Sequence, residues 1–249
     1  MDKDTIQRLN AINREFYETT APEFDQTRGK AWAGWVKLSE YLTAPLSVLD
    51  VGCGNGRFGV FLAEMFSEPI TYHGIDNNHA LLDYARTALI AIPHITATLT
   101  EQDVITQPPD TGTYDLVVLF GVIHHIPGAA NRMAFMRQLA ERVAPDGLLC
   151  FASWRFYEFE RFRQRVVAWD ADITVEQGDY LLDWRRGERA LRYCHYVDDS
   201  EQSALIAATG LTEIETYRAD GEDNRMNAYS ILKRNRTTED TENTEKSEQ

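Results

Sequence analysis

The stretch "VLDVGCGNGRFGVF", residues 48–61, runs from apolar residues into three close glycines, Gly52, Gly54 and Gly56, with Cys53 and Asn55 between them. Apolar residues then recur at helical spacing. A strand, a tight turn and a helix N-terminus in this order make the usual cradle for a nucleotide cofactor. A dinucleotide fingerprint beginning at Gly52 needs its third glycine at position 57, where this chain has Arg57; its third glycine comes one residue early. An acid, Asp50, stands just before the turn. Two more acids, Asp76 in "YHGID" and Asp103 in "EQD", end or nearly end the next two strand-like segments.

The acids separate two cofactor classes. A carboxylate at Asp76 can accept both hydrogen bonds of a ribose diol, which NAD and S-adenosylmethionine share. S-adenosylmethionine has no pyrophosphate, so it does not require the dinucleotide glycine spacing. It carries an ammonium and a sulfonium, which favour nearby acids and carbonyls, and Asp50 meets that need. Asp103 is placed to accept from the adenine amino group beside the apolar Val104 and Ile105. Asn77, Phe120 and Gly121, at strand ends, complete the expected cofactor-contacting set. The expected cofactor is S-adenosylmethionine.

The elements that must position these residues alternate. "LSVLDV", "PITYHGID", "ITATLTEQD", "YDLVVLFG" and "GLLCFASW" read as strands, with helices at 57–67, 78–91 and 129–144. A helix at about 198–208 precedes "LTEIETYR" and "NAYSILKR", a closing antiparallel pair. The expected fold class is α/β: a Rossmann-like, seven-stranded, mostly parallel sheet with helices on both faces. Residues 1–45 precede it as a helical segment, with helices at 2–20 and about 30–43 separated by "TTAPEFDQTRGK". The main domain spans 46–236, with an Arg- and aromatic-rich insertion at about 154–197. The tail, 237–249, has no apolar residue and is expected to be disordered.

Net charge is −14; the tail contributes −4 and the rest −10. That balance opposes indiscriminate nucleic-acid binding, although it leaves room for a local basic patch. No apolar run approaches a membrane span, and the polar start has no signal-peptide core. Three scattered cysteines without a C-x-x-C fit a reduced, cytoplasmic protein.

"VLDVGCGNG", "GIDNN" and "EQDV", in this order, resemble the class I S-adenosylmethionine-dependent methyltransferases. The flanking "FYETTAPEFDQTRGKAWAGW", "VIHHIPGAANRMAFMRQLAERVAPDGLLCFASW", "DYLLDW" and "RYCHYVDDSEQSALIAATGL" narrow the likeness. They resemble the eukaryotic-type tRNA methyltransferases that esterify carboxymethyluridine at the wobble position, with T-R-x-K-x-W, V-I-H-H and R-Y-Y-H segments in this order. Cys194 replaces the second Tyr of R-Y-Y-H. The resemblance implies methyl transfer to a carboxylate, an N-terminal segment folded over the cofactor, and a small zinc-containing activator subunit. Tyr17 and Arg28 lie in that segment, and Arg28 is the expected partner of the cofactor's carboxylate.

A carboxylate is already ionised at pH 7, so its methylation needs positioning rather than a general base. His125 and His124, after the fourth strand, are the residues expected at the reacting edge. Arg192, Tyr193 and His195 are expected on the acceptor side. Arg155, Arg185, Arg186, Arg189 and Arg192, interleaved with aromatics, are the expected tRNA contacts. His73, His79, His94 and His195 show no ligand spacing, so no metal site is expected. Two alternatives stay open: a small-molecule O-methyltransferase acting on a carboxylate or phenol, and a non-catalytic binding protein on the same fold.

Overall fold

The computed structural model describes residues 1–27, 30–184 and 189–236. Among the described residues, ten strands form two sheets. The larger has seven strands in the order β3-β2-β1-β4-β5-β10-β9. These are β1 (Leu46–Val51), β2 (Ile70–Asp76), β3 (Ile95–Glu101), β4 (Tyr114–Phe120), β5 (Val143–Trp154), β9 (Thr212–Ala219) and β10 (Asn227–Lys233). β1 to β5 pair in parallel, and β10 runs antiparallel to both β5 and β9. The strand order reverses between β1 and β4, the switch at which open α/β sheets bind ligands.

β1 and β4 show why this sheet is central. All of β1 except Ser47 is buried, and so is Leu116–Phe120 of β4. Strands that apolar need cover on both faces. One face packs under α2 (Ala33–Ser39), α3 (Arg57–Met65) and α4 (His79–Ile90), through residues such as Trp35, Phe58, Leu62 and Leu89. The other packs under α5 (Ala129–Ala140) and α7 (Asp199–Thr209), through Phe135, Met136, Leu139 and Leu205.

The smaller sheet, β6 (Val166–Val167), β7 (Asp179–Trp184) and β8 (Ala190–His195), is antiparallel and lies within the segment read as an insertion. A short helix, α6 (Glu160–Arg163), precedes it. Phe156, Leu182 and Cys194 form its own small core.

Helix limits differ from the sequence reading at three places: α5 ends at Ala140, and β5 starts at Val143 inside the expected helix 129–144, while α1 and α2 differ as follows. α1 runs unbroken over Lys3–Thr27, through Pro22. Proline removes the bond to the carbonyl of Glu18, but Glu18 is exposed and water can serve that carbonyl. The last turn is instead anchored by tertiary contact, with Asn55 Nδ2 donating to Asp25 at 2.8 Å. α2 is shorter than expected, because residues up to Trp32, which is extended, belong to the connection.

Candidate active site

The ends of β1, β2, β3 and β4 open into one cavity of about 940 Å³. α1 forms its lid with Asn10, Asn13 and Tyr17, and the small sheet and α6 form its far wall. The glycine turn is its floor. Gly52 has φ +76°, and a Cβ there would fall 2.1 Å from a Val122 methyl, so only glycine fits. Gly52, Cys53, Gly54 and Asn55 line the cavity, as do Asn77, Val104, Phe120 and Gly121. Gly56, read as cofactor-binding, does not. It packs against α4, where a Cβ would sit 2.9 Å from that of Ala85, and is therefore a helix-packing glycine.

The three acids converge as their spacing suggested. Asp76 accepts from Gly54 N–H at 2.8 Å and Asn78 N–H at 2.9 Å, so it stiffens the turn it faces. Burial pushes its pKa up. Asp50 is buried beneath the turn and accepts from the Tyr72 hydroxyl. Burial raises its pKa to about 7, with nearby Asp76 adding to the rise and Tyr72 and Arg57 opposing it. Asp103 accepts from Ile105 N–H at 3.0 Å and from Asn10 Nδ2 at 2.7 Å. The Oδ1 of Asn10 is buried without a hydrogen-bond partner, although its residue lines the cavity. An acceptor pair of this kind calls for a ligand that donates.

Two contributors escaped the sequence reading. Asn10 is one; with Asn13 and Tyr17 it forms a polar line at helical spacing within the apolar face of α1, and that was the available signal. Arg57 is the other. Its guanidinium lies 4.8 Å from the ring centre of Trp32 and 5.3 Å from that of Trp35, and burial lowers its pKa to about 10. Arg28 lies outside the described residues, as do Arg185 and Arg186.

At the other end of the cavity, His125 is held on both ring nitrogens. Nε2 is 3.0 Å from the Tyr17 hydroxyl, and Nδ1 is 3.0 Å from the Tyr193 carbonyl. A carbonyl only accepts, so Nδ1 carries the proton and Nε2 accepts from Tyr17. The Asn13 amide, 3.2 Å from Nδ1, is then best turned to present its oxygen. His124 lines the cavity beside it, its ring tilted against that of Trp154 with centres 5.5 Å apart.

Arg192 is a buried cation in the cavity lining. It is 7% exposed and lies between the rings of Phe16 at 5.1 Å and Trp154 at 4.7 Å. Its Nε has no hydrogen-bond partner, and it forms no ion pair among the described residues. Tyr193 and His195 do not join it at the acceptor side. β8 alternates, so Tyr193 turns its ring away and donates to Asp179 at 2.9 Å. His195 is buried between Asp179 at 2.7 Å and Glu201 at 2.6 Å. Burial disfavours its charge, but the two carboxylates outweigh that and raise its pKa. Neither residue is among those that line the cavity.

Arg155, read as a tRNA contact, is also structural. It is buried and donates to the Val197 carbonyl at 2.7 Å and to Gln202 at 2.6 Å. Arg189 is exposed and pairs with Asp183 at 3.4 Å, away from the cavity lining. The fold does gather His124, His125 and Cys194, with ligand-type atoms within 4.8 Å of one another, which sequence spacing does not show. The His125 nitrogens already have protein partners, and burial raises the Cys194 thiol to about 11.

Residues 49–149 match a family model described as a methyltransferase domain. The fold resembles a solved S-adenosylmethionine-dependent methyltransferase from Methanosarcina mazei, with a TM-score of 0.65 at 18% identity over 81% of this chain and 98% of that one. The chain is 30% identical over 183 residues to a putative methyltransferase of Encephalitozoon cuniculi, covering 72% of this chain and 77% of that protein. It belongs to the class I S-adenosylmethionine-dependent methyltransferases. Its cofactor is S-adenosylmethionine, and the residues present suit it: three carboxylates and an unpaired amide oxygen face the cavity, where a diol, an amine and an ammonium can donate. The methyltransferase is also 26% identical over 182 residues to the tRNA (carboxymethyluridine(34)-5-O)-methyltransferase of Mus musculus, covering 71% of this chain but 24% of that protein. It is 23% identical over 204 residues to a malonyl-[acyl-carrier protein] O-methyltransferase of Halalkalibacterium halodurans, covering 75% of this chain and 70% of that protein.

Proposed function

We propose that this methyltransferase esterifies a carboxylate, and that its acceptor is carboxymethyl-modified wobble uridine in tRNA. Arg192 carries the reading. A buried guanidinium without an anionic partner costs several kcal/mol, by the order of magnitude for desolvating an ion. An acceptor carboxylate that accepts from it in the cavity removes that cost and is fixed in orientation. The names of the mouse and Halalkalibacterium relatives both describe O-methylation, and the mouse name specifies carboxymethyluridine.

S-adenosylmethionine supplies an electrophilic methyl on a sulfonium. Asp76 would hold the ribose diol, Asp103 with Asn10 the adenine amine, and Asp50 the ammonium side of the amino-acid tail. Arg57, a cation in the cavity lining, would pair with the tail's carboxylate. On the acceptor side, Arg192 orients the carboxylate, and the Trp154 wall, with Phe16 packed behind Arg192, excludes water. His125 supplies shape rather than a base, since Tyr17 occupies Nε2 and Nδ1 faces a carbonyl.

The test is methylation of RNA containing 5-carboxymethyluridine by purified protein, with and without cell extract to supply the small zinc-containing subunit that the family resemblance implies. Ester formation that disappears in Arg192→Gln supports the reading. Methylation of a small acid such as a malonyl thioester, with the RNA left untouched, selects the small-molecule alternative, which the net charge of −14 favours.

A further inference from the structure

Arg192 is not the sole unanswered donor on its wall of the cavity. The Nε1 of Trp184 is buried without a hydrogen-bond partner among the described residues, as is the Nε of Arg192. Both residues line the cavity. Their strands explain why they share a face. In β7 and β8, Arg192 stands opposite Leu182, and Trp184 lies two residues beyond Leu182 on the same strand. Side chains alternate along a strand, so Trp184 and Arg192 project to one side as diagonal neighbours, roughly 7–8 Å apart by ordinary sheet geometry. Both pack on Phe16 of the lid helix. The Arg192 guanidinium lies 5.1 Å from the centre of its ring, and the Trp184 ring meets it edge-on at 5.6 Å. The indole is therefore held by packing, and its N–H is left for a ligand.

We propose that Trp184 is a specificity residue, whose indole N–H donates to the O4 carbonyl of the uracil base that carries the carboxymethyl group. This rests on Arg192 taking the carboxylate. The chemistry of the donor selects the atom. An indole N–H donates and never accepts, and it carries no charge. A buried donor left unpaired is destabilising, and a neutral carbonyl oxygen removes that cost. The diagonal spacing suits two groups of one ligand. In 5-carboxymethyluracil the O4 carbonyl adjoins the ring carbon that bears the arm, so carboxylate and carbonyl lie side by side on one edge of the base. Cytosine carries an amino group at that position, which would meet the indole donor to donor. The same contact therefore separates uridine from cytidine, because a polar site rejects an analogue that leaves its buried group unpaired.

Trp169 supplies an internal control. It belongs to the same inserted segment, but its Nε1 donates to the Asp179 carbonyl at 3.4 Å and it does not line the cavity. The experiment compares wild type, Trp184→Phe, Trp169→Phe and Arg192→Gln on two RNA oligonucleotides. These are identical except that the target base is 5-carboxymethyluridine in one and 5-carboxymethylcytidine in the other. Cell extract is added to each reaction, with extract alone as the blank. Phenylalanine keeps a ring against Phe16 and removes the N–H. Binding of S-adenosylhomocysteine, measured for each variant, confirms folding. Wild type should prefer the uridine RNA. Trp184→Phe should lower kcat/KM on the uridine RNA about tenfold and leave that on the cytidine RNA within about twofold, so the preference shrinks about tenfold. Trp169→Phe should keep the wild-type preference. Equal losses on both RNAs in Trp184→Phe would show that the indole acts by packing, and would overturn the inference. So would an unchanged preference, or one that Trp169→Phe shrinks as far. Wild type that esterifies both RNAs equally would overturn it without any variant. In each of those cases, ester formation that disappears in Arg192→Gln leaves the carboxylate reading standing. Wild type that esterifies neither RNA would refute that reading, and this inference with it.

Discussion

The Tyr17 hydroxyl, on α1, lies 3.0 Å from Nε2 of His125, which follows β4, so this hydrogen bond ties the lid helix to the segment after β4. The same ring reaches the Tyr193 carbonyl of β8 at 3.0 Å. Three distant segments of chain therefore meet on one imidazole. His125→Ala should lower kcat by loosening all three, without removing a basic limb from the pH–rate profile. Tyr17→Phe should behave in the same direction and more mildly. A wild-type rate that climbs on one ionisation through pH 7–9, and loses that climb in His125→Ala, would reveal a general base and a hydroxyl or amine acceptor.

The strand-end acids give two readouts of cofactor binding. Asp76→Ala should weaken S-adenosylhomocysteine by about 1–3 kcal/mol, the cost of leaving buried donors unpaired. Asp50 has a pKa of about 7, so its charge appears as pH rises through neutrality. Affinity for the ammonium-bearing cofactor should strengthen over that range, and Asp50→Asn should flatten the dependence. Calorimetry across pH 6–8 measures both.

Arg57 is separable from the rest of the site by ligand choice. Methylthioadenosine keeps the adenine and ribose of the cofactor but lacks the amino-acid tail. Arg57→Gln should weaken S-adenosylhomocysteine by roughly tenfold, as for one charge-assisted contact, and leave methylthioadenosine unchanged. Equal weakening of both would show that Arg57 acts by packing on Trp32 and Trp35 instead.

His195 makes a prediction about stability. Its folded pKa is raised above the unfolded value, so its contribution is full below the unfolded pKa and lost as pH rises through the folded one. Glu201, its partner, is shifted down: burial opposes its charge, but His195 and Arg132 outweigh that. Its contribution is present above its unfolded pKa and lost as pH falls through the folded one. The gap in urea stability between wild type and His195→Gln should therefore be widest between about pH 4.5 and 6.5, the ordinary values of the two groups, and shrink on either side. A gap that grows steadily toward pH 9 would contradict the paired imidazolium.

The amino-acid sequence by itself determined the sheet, the cofactor end and the reaction class. Buried parallel strands must be continuous apolar runs, and the glycine turn with Asp50, Asp76 and Asp103 is a local pattern repeated at strand ends, so each could be read from its neighbours. The path of α1 through Pro22 was not legible, because a contact from Asn55 to Asp25, thirty residues apart, holds its last turn. Arg155, Arg192, Tyr193 and His195 looked alike in sequence, as polar residues among aromatics. Only the tertiary structure sorted them. The alternation of β8 against the cavity left Arg192 facing in, and turned Tyr193 and His195 toward Asp179. The depth of α7 against β5 buried Arg155. Burial and pairing between segments far apart in the chain decide whether a cation awaits a ligand, and neither is encoded in local spacing.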